Sequence, residues 1–380
     1  MAADAYEPEA ARRLRAPILR WYRRAKRDLP WRRTTDPYAI WVSETMLQQT
    51  TVAAVIPYWE RFLERFPDAA ALAASGEEDV LALWSGLGYY RRASALRQGA
   101  LAVMERHGGR VPEEAEALMR LPGIGRYTAG AIASVAFGRQ SPVVDGNVKR
   151  VFSRLFAIRG DGAQADRKYW SIAETLVRGA TPGDWNQALM ELGATVCTPR
   201  APRCGDCPVA SRCRALALGR PTAFPARKKP EPVEVVPVAV TWIERRGRVL
   251  LLRRQPGSPL RGAWDLPAVV VAAGGEPARA IVRALWASQR LRLRASHVLV
   301  RAKHAILATR LAIDVVEAVP VAAFPRSAAL RWVALDRLGE VAISGATTKI
   351  ARAVFAQRRS QDLLTSASSV SSGSRGRLNA

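Results

Sequence analysis

Five prolines fall between Pro221 and Pro237, around a charged run, Arg227-Lys228-Lys229. Proline fixes φ and removes a backbone donor, so such a stretch reads as a linker, 221–236, between two folded parts. The parts differ in texture. From Ala10 to about Ala217, apolar residues recur at helical spacing between short Gly- and Pro-marked connections. Val148, Val151, Phe152, Leu155 and Ile158 mark one such face, with Lys149, Arg150 and Arg154 largely off it. After the linker come alternating β-branched runs at 238–243, 249–252, 269–271 and 307–316, interrupted by one helical segment near 277–289. The expected architecture is a mainly α domain over 1–220 and a mixed α/β domain over 237–357. With 380 residues and 49% hydrophobic content, each can bury its own core. The Ser-rich stretch 358–380 lacks apolar periodicity and is expected to be a disordered tail.

The formal charge of +25 calls for a polyanionic partner, nucleic acid above all, although only seven of the 58 basic residues are Lys and genome composition can account for part of the Arg excess. No run approaches the roughly 18 apolar residues of a membrane span, and no apolar signal core opens the chain. A cytoplasmic, nucleoid-associated bacterial protein is the expectation.

All four Cys are spaced Cys197-x6-Cys204-x2-Cys207-x5-Cys213, stiffened by Pro199, Pro202 and Pro208. In a reducing compartment such a cluster suggests metal ligation, and four thiolates without a nearby His suit tetrahedral zinc or a four-iron cluster. Zinc sites usually pair two short Cys-x2-Cys knuckles, and only one exists here. Arg200, Arg203 and Arg212 make the loop basic.

Two further stretches carry chemistry. In Leu121-Pro122-Gly123-Ile124-Gly125-Arg126-Tyr127, two glycines around one apolar residue allow a tight turn with bare N–H groups, followed by a helix whose positive end points the same way. Such a corner suits a phosphate; an ordinary inter-helix turn is the competing reading. Val144-Asp145-Gly146-Asn147-Val148 places Asp145 just ahead of a helix, where the dipole favours its anion, whether as an N-cap or as a stabiliser of positive charge. Glu44, within Ser43-Glu44-Thr45-Met46-Leu47-Gln48-Gln49-Thr50, sits among apolar and amide neighbours. Desolvation there would hold a proton on it near neutral pH. An acid beside a carboxylate can protonate a leaving group while the anion steadies a developing positive charge.

These motifs, in this order, resemble the MutY-type adenine DNA glycosylases of the helix-hairpin-helix, endonuclease III superfamily, whose iron–sulfur loop has the same 6-2-5 Cys spacing. The resemblance implies base-excision repair of adenine opposite 8-oxoguanine or guanine in double-stranded DNA by a monomer. It implies one [4Fe-4S] cluster on Cys197, Cys204, Cys207 and Cys213, and a monovalent or calcium ion is a candidate at the hairpin. Glu44 would protonate adenine and later handle water, Asp145 would stabilise the sugar cation, and Tyr127 and Asn147 would assist. Trp31, Arg32 and Glu191 match residues lining the adenine pocket. Gln49 and Tyr89, the latter in Gly86-Leu87-Gly88-Tyr89-Tyr90, match residues that enter the helix stack, with Leu47 a further wedge; Leu121, Gly123 and Gly125 would grip DNA. Bifunctional relatives carry Lys where this chain has Tyr127, and a phenol forms no Schiff base, so little strand scission is expected.

Gly262-Ala263-Trp264-Asp265-Leu266-Pro267 resembles the Nudix-like domain that such glycosylases carry C-terminally. Magnesium-dependent hydrolysis needs clustered glutamates, and no acidic residue lies between Glu276 and Asp314. Recognition of 8-oxoguanine is the implied role. Relatives use a Phe-Ser-His turn; the nearest matches are Ala302-Lys303-His304, with His304 as the polar probe, and Ser296-His297. The rival functions are an endonuclease III type bifunctional glycosylase, opposed by Tyr127, a non-catalytic damage-binding scaffold, opposed by Glu44 and Asp145, and a nucleotide hydrolase, opposed by the missing glutamates.

Overall fold

The computed structural model describes residues 13–160, 162–226, 233–254, 263–306 and 309–372, with 306 and 362–372 described in backbone only. Arg227-Lys228-Lys229, Gly262, Leu307 and 373–380 lie outside the described residues. The chain forms two compact units, Met1–Ser75 with Arg92–Pro230, and Gly76–Arg91 with Glu231–Ala380.

In the first unit the helices are α1 (Arg15–Ala25), α2 (Pro37–Leu47), α3 (Val52–Arg65) and α4 (Ala69–Ala74); then, after α5 (Glu77–Leu83) of the second unit, α6 (Arg91–His107), α7 (Ala115–Leu118), α8 (Arg126–Phe137), α9 (Gly146–Leu155), α10 (Ala163–Leu176), α11 (Pro182–Thr195) and α12 (Arg214–Ala217). One core gathers Ile18 and Tyr22 of α1, Val148, Val151 and Phe152 of α9, Tyr169 and Ile172 of α10, and Trp185, Leu189 and Leu192 of α11. The apolar face expected on α9 is this core face. The helices approach closely where glycine allows it: a Cβ on Gly193 of α11 would sit 2.6 Å from Asn147 Cβ at the start of α9.

The second unit is the expected mixed α/β fold. Strands β1 (Glu234–Trp242), β5 (Ala268–Val270), β6 (Leu293–Ile306) and β7 (Thr309–Pro320) form a sheet in the order β5-β1-β7-β6, with β1 parallel to β7 and the other pairs antiparallel. A second sheet is built on β3 (Arg248–Arg253), flanked by β2 (Glu244–Arg245), β4 (Trp264–Asp265) and β8 (Leu330–Ala334). Helix α13 (Pro277–Gln289) buries Ile281 and Leu285 in one apolar cluster, and α14 (Gly345–Ser372) buries Ile350, Ala351 and Val354 in another.

Three boundaries differ from the sequence reading. Residues 76–91 belong to the second unit, because Leu81 and Trp84 are fully buried and the hydroxyls of Ser85 and Tyr90 both donate to the Ile343 carbonyl. The expected linker is structured at both ends: Phe224 is buried with its carbonyl taken by Arg154 Nε at 3.0 Å, and β1 begins at Glu234. Residues 358–372, expected to be disordered, continue α14. No Gly or Pro interrupts the sequence from Ala346 to Ser372, so a helix anchored by its buried first turns propagates.

Candidate active site

Asp36 caps α2, its carboxylate accepting from Tyr38 N at 3.1 Å and Ala39 N at 3.2 Å, with Pro37 in the first turn. Every residue from Tyr38 to Met46 is buried, so Glu44, 8% exposed, has no solvated face to occupy. Its Oε2 accepts from the Tyr127 hydroxyl at 2.8 Å, across from α8. Burial pushes the Glu44 carboxyl up to about 7; the Tyr127 hydrogen bond pulls the other way and the charge of Asp145 adds to the rise. Burial, with Glu44 and Asp145 nearby, also holds the Tyr127 phenol well above its ordinary value, so it remains a donor.

Asp145 is the N-cap of α9. One oxygen accepts from Val148 N at 2.7 Å and the other from Asn147 Nδ2 at 2.9 Å, so capping and a held carboxylate coexist. Asn147 Oδ1 in turn accepts from Arg150 Nη2 at 2.7 Å, and Arg150 also donates to the carbonyls of Gly193 and Cys197. Arg150 thereby joins the Asp145 turn to the cysteine loop, a role the sequence reading missed by placing it off the apolar face.

Trp31 and Arg32 lie on the turn Pro30–Arg32, and Glu191 on α11. Glu191 is 1% exposed and bound by Arg27 Nε at 2.7 Å and Arg32 Nη2 at 2.8 Å. Burial pushes its carboxyl up, but the hydrogen bonds and charges of these two arginines outweigh it and leave the group at about 2. Arg27, which the sequence reading passed over, is exposed and Arg32 half-buried, so the buried member of this ion triad is the Glu191 carboxylate. Trp31 packs edge-on against Trp59, centroids 6.0 Å apart.

Leu121 is 2% exposed, so its side chain anchors the hairpin in the core. Gly123 has φ +78° and a Cβ there would lie 2.7 Å from Ala95 Cβ, whereas Gly125 has φ −92° and open space beside it. Protein sterics require the first glycine; only a close ligand would require the second. Leu47 ends α2 half-buried, Gln49 follows in the left-handed region at φ 58°, and in the second unit Tyr89 is left-handed at φ 49° and 45% exposed.

All four Cys line one space with Val151, Arg154, Leu192, Val196 and Val209. Among the described residues no three His, Cys, Asp or Glu side chains converge for a single bare ion. Burial, and the charges of the other three Cys, push the Cys207 thiol up to about 11, so thiolates there need a cationic centre among them, which a four-iron cluster supplies. The donor set fits that group. Arg154, expected off the apolar face, is buried: Nη1 approaches Cys197 Sγ at 3.3 Å and donates to Thr198 O, and Nη2 donates to Pro199 O. Arg200, Arg203 and Arg212 are exposed on the loop.

In the second unit His304 on β6 is half-buried, its ring 3.8 Å from where a Cβ on Gly345 would lie. Burial and the Lys349 charge hold it below the usual imidazole value. Ala302 packs against the core, while Ser296 and His297 sit at a bulge and face Glu317. Asp265 is buried, accepting from Ser344 N, Thr347 Oγ1 and Arg254 Nε.

Comparison with known proteins follows this division. Residues 42–175 match the HhH-GPD superfamily of base excision DNA repair proteins, 197–213 the iron-sulfur binding domain of endonuclease III, and 238–353 the NUDIX domain. The adenine DNA glycosylase of Mycolicibacterium smegmatis is 42% identical over 247 residues, covering 65% of this chain and 82% of that protein. Those of Rattus norvegicus and Homo sapiens are 45% and 52% identical, covering 67% and 53% of this chain, which spans only 53% and 39% of their length. The solved structure of a thermostable thymine-DNA glycosylase superposes with a TM-score of 0.51 at 31% identity, over 55% of this chain and 98% of that one. No described helix is long and apolar enough to cross a membrane.

Proposed function

Because the chain belongs to the adenine DNA glycosylase family, we propose that it hydrolyses the N-glycosidic bond of adenine mispaired with 8-oxoguanine or guanine in duplex DNA and leaves the strand uncut. The observation that carries this reading is the buried Glu44 carboxyl, hydrogen-bonded to Tyr127 and pushed by burial up to about 7. A target inside a duplex must first leave the stack, and Leu47, Gln49 and Tyr89 are the groups that fill the space. Trp31, Arg32 and Glu191 line the pocket that receives adenine, kept rigid by Arg27.

Glu44 then gives its proton to a ring nitrogen of adenine, and the C1′–N9 electron pair leaves with the base. Asp145, held by Asn147 and the α9 N-terminus, stabilises the sugar cation. The Glu44 carboxylate takes a proton from the incoming water as oxygen bonds to C1′, which returns the acid to its starting form. Tyr127 orients Glu44 and, having no amine, forms no Schiff base, so the reaction ends at an abasic site.

Cys197, Cys204, Cys207 and Cys213 hold a [4Fe-4S] cluster, which orders the loop presenting Arg200, Arg203 and Arg212 to phosphates. Gly123 and Gly125 offer N–H groups, with a monovalent or calcium ion as a further bridge. The second unit reads the base opposite adenine through His304, or through Ser296-His297 at the neighbouring bulge. One gel assay tests the whole: a duplex with A opposite 8-oxoguanine is cut after alkali and stays intact without it. Cleavage without alkali, or none after it, would contradict the reading.

A further inference from the structure

The last carbonyls of a helix have no partner within it, and α2 ends without a glycine to turn the chain back over them. Instead Gln48 leaves the helix at φ −58°, ψ 111°, and Gln49, which has a Cβ, is left-handed. What binds this end is a buried guanidinium from α6. Arg92, 8% exposed, directs Nη1 at Thr45 O, Met46 O and Gln48 O, at 2.9, 2.7 and 2.6 Å, and Nη2 at Thr50 Oγ1 at 3.2 Å. The Leu47 carbonyl is taken by Thr50 N at 3.3 Å. The carbonyls from Thr45 to Gln48 are thus all engaged, on both sides of Leu47 and up to Gln49, by one planar fork and one backbone N–H. A cation at a helix C-terminus is also favoured by the dipole.

We infer that Arg92 is a positioning residue that holds the Leu47–Gln49 turn in the shape that enters the DNA stack, and so sets the rate at which adenine is extruded. The inference rests on the reading of Leu47 and Gln49 as stack-filling groups. It separates from the acid chemistry by geometry: Arg92 binds backbone carbonyls and Thr50 Oγ1, while the Glu44 carboxyl takes its hydrogen bond from Tyr127. Loss of Arg92 therefore slows extrusion and leaves the titration of the chemical step in place.

The test is stopped-flow fluorescence with 2-aminopurine in place of the target adenine opposite 8-oxoguanine, since this base brightens on leaving the stack, alongside the pH profile of adenine release. In the Arg92→Met protein the fluorescence rise should slow by at least about tenfold, the usual scale for losing charge-assisted hydrogen bonds to carbonyls that stay buried. The Arg92→Lys protein, with one nitrogen in place of two, should fall between the Met variant and wild type. In each folded variant the inflection of the pH profile should stay where wild type has it. A rise as fast as wild type in either variant overturns the inference, and so does a shifted inflection. If Arg92→Met does not fold, the Lys variant decides. If the wild-type protein itself gives no rise, it is the extrusion reading that fails rather than the role of Arg92.

Discussion

The two units have each kept a fold associated with catalysis, and they use buried carboxylates in opposite ways. In the helical unit Glu44 on α2 faces the Tyr127 hydroxyl of α8, and Asp145 caps α9 with one oxygen and accepts from Asn147 with the other. In the Nudix-like unit, helix α13 carries no acidic side chain at all, and the buried Asp265 is fully engaged in capping α14 and pairing with Arg254. The two folds thus give a buried acid different partners: a neighbouring hydroxyl in one, and the start of a helix and an arginine in the other.

That contrast can be broken by removing one charge from each side. Asp145→Asn should cost adenine release about a thousandfold or more in single-turnover assays, with duplex affinity by anisotropy changed less than about threefold, because the cation loses its counter-charge while the cap persists. Loss of binding in step with activity would make Asp145 a structural cap only. Glu44→Gln separates function from stability. A carboxyl whose folded value is raised keeps its proton in the folded state where the unfolded chain has lost it, so folding stability falls as pH rises from about 4.5 to about 7. Removing the charge should therefore stabilise the protein on the order of 3 kcal/mol at pH 8 and hardly at all at pH 4, as read by urea unfolding, while abolishing release.

Asp265→Asn should do the reverse, destabilising by about 2 kcal/mol because a buried acceptor with three donors is lost, with release from A opposite G within about threefold of wild type. An unchanged midpoint would show that the cap is dispensable. The smallest effect is expected at His304→Ala: discrimination between A opposite 8-oxoguanine and A opposite G should fall by roughly tenfold, the scale of one polar contact. An unchanged preference would move the role to Ser296-His297 or to other groups.

Much of the helical unit was legible because short motifs carry both local structure and chemistry. Asp145 reads as an N-cap and is one; Glu44 reads as a desolvated acid because its neighbours along the chain are also its neighbours in space. The arginines were not legible. Arg27, Arg92, Arg150 and Arg154 look like surface charge in so basic a sequence, and their partners are a carboxylate and backbone carbonyls more than forty residues away. One signal was available: Asn147, Arg150 and Arg154 follow one another at spacings of three and four on α9, which puts them along one face. The same distance effect hid the attachment of residues 76–91 to the second unit. Strand β6 escaped notice because polar Ser296, His297, Arg301, Lys303 and His304 interrupt its alternation, and the register shift at the bulge breaks the period.

The central claim is that a proton resident on Glu44 at neutral pH drives departure of the base. It is tested by the single-turnover rate of adenine release from a duplex with A opposite 8-oxoguanine, followed from pH 6 to pH 9. The account predicts a plateau that gives way near pH 7 to a fall approaching tenfold per unit, as the acid form is titrated away. A rate that stays level to pH 9, or rises through neutrality, would contradict it.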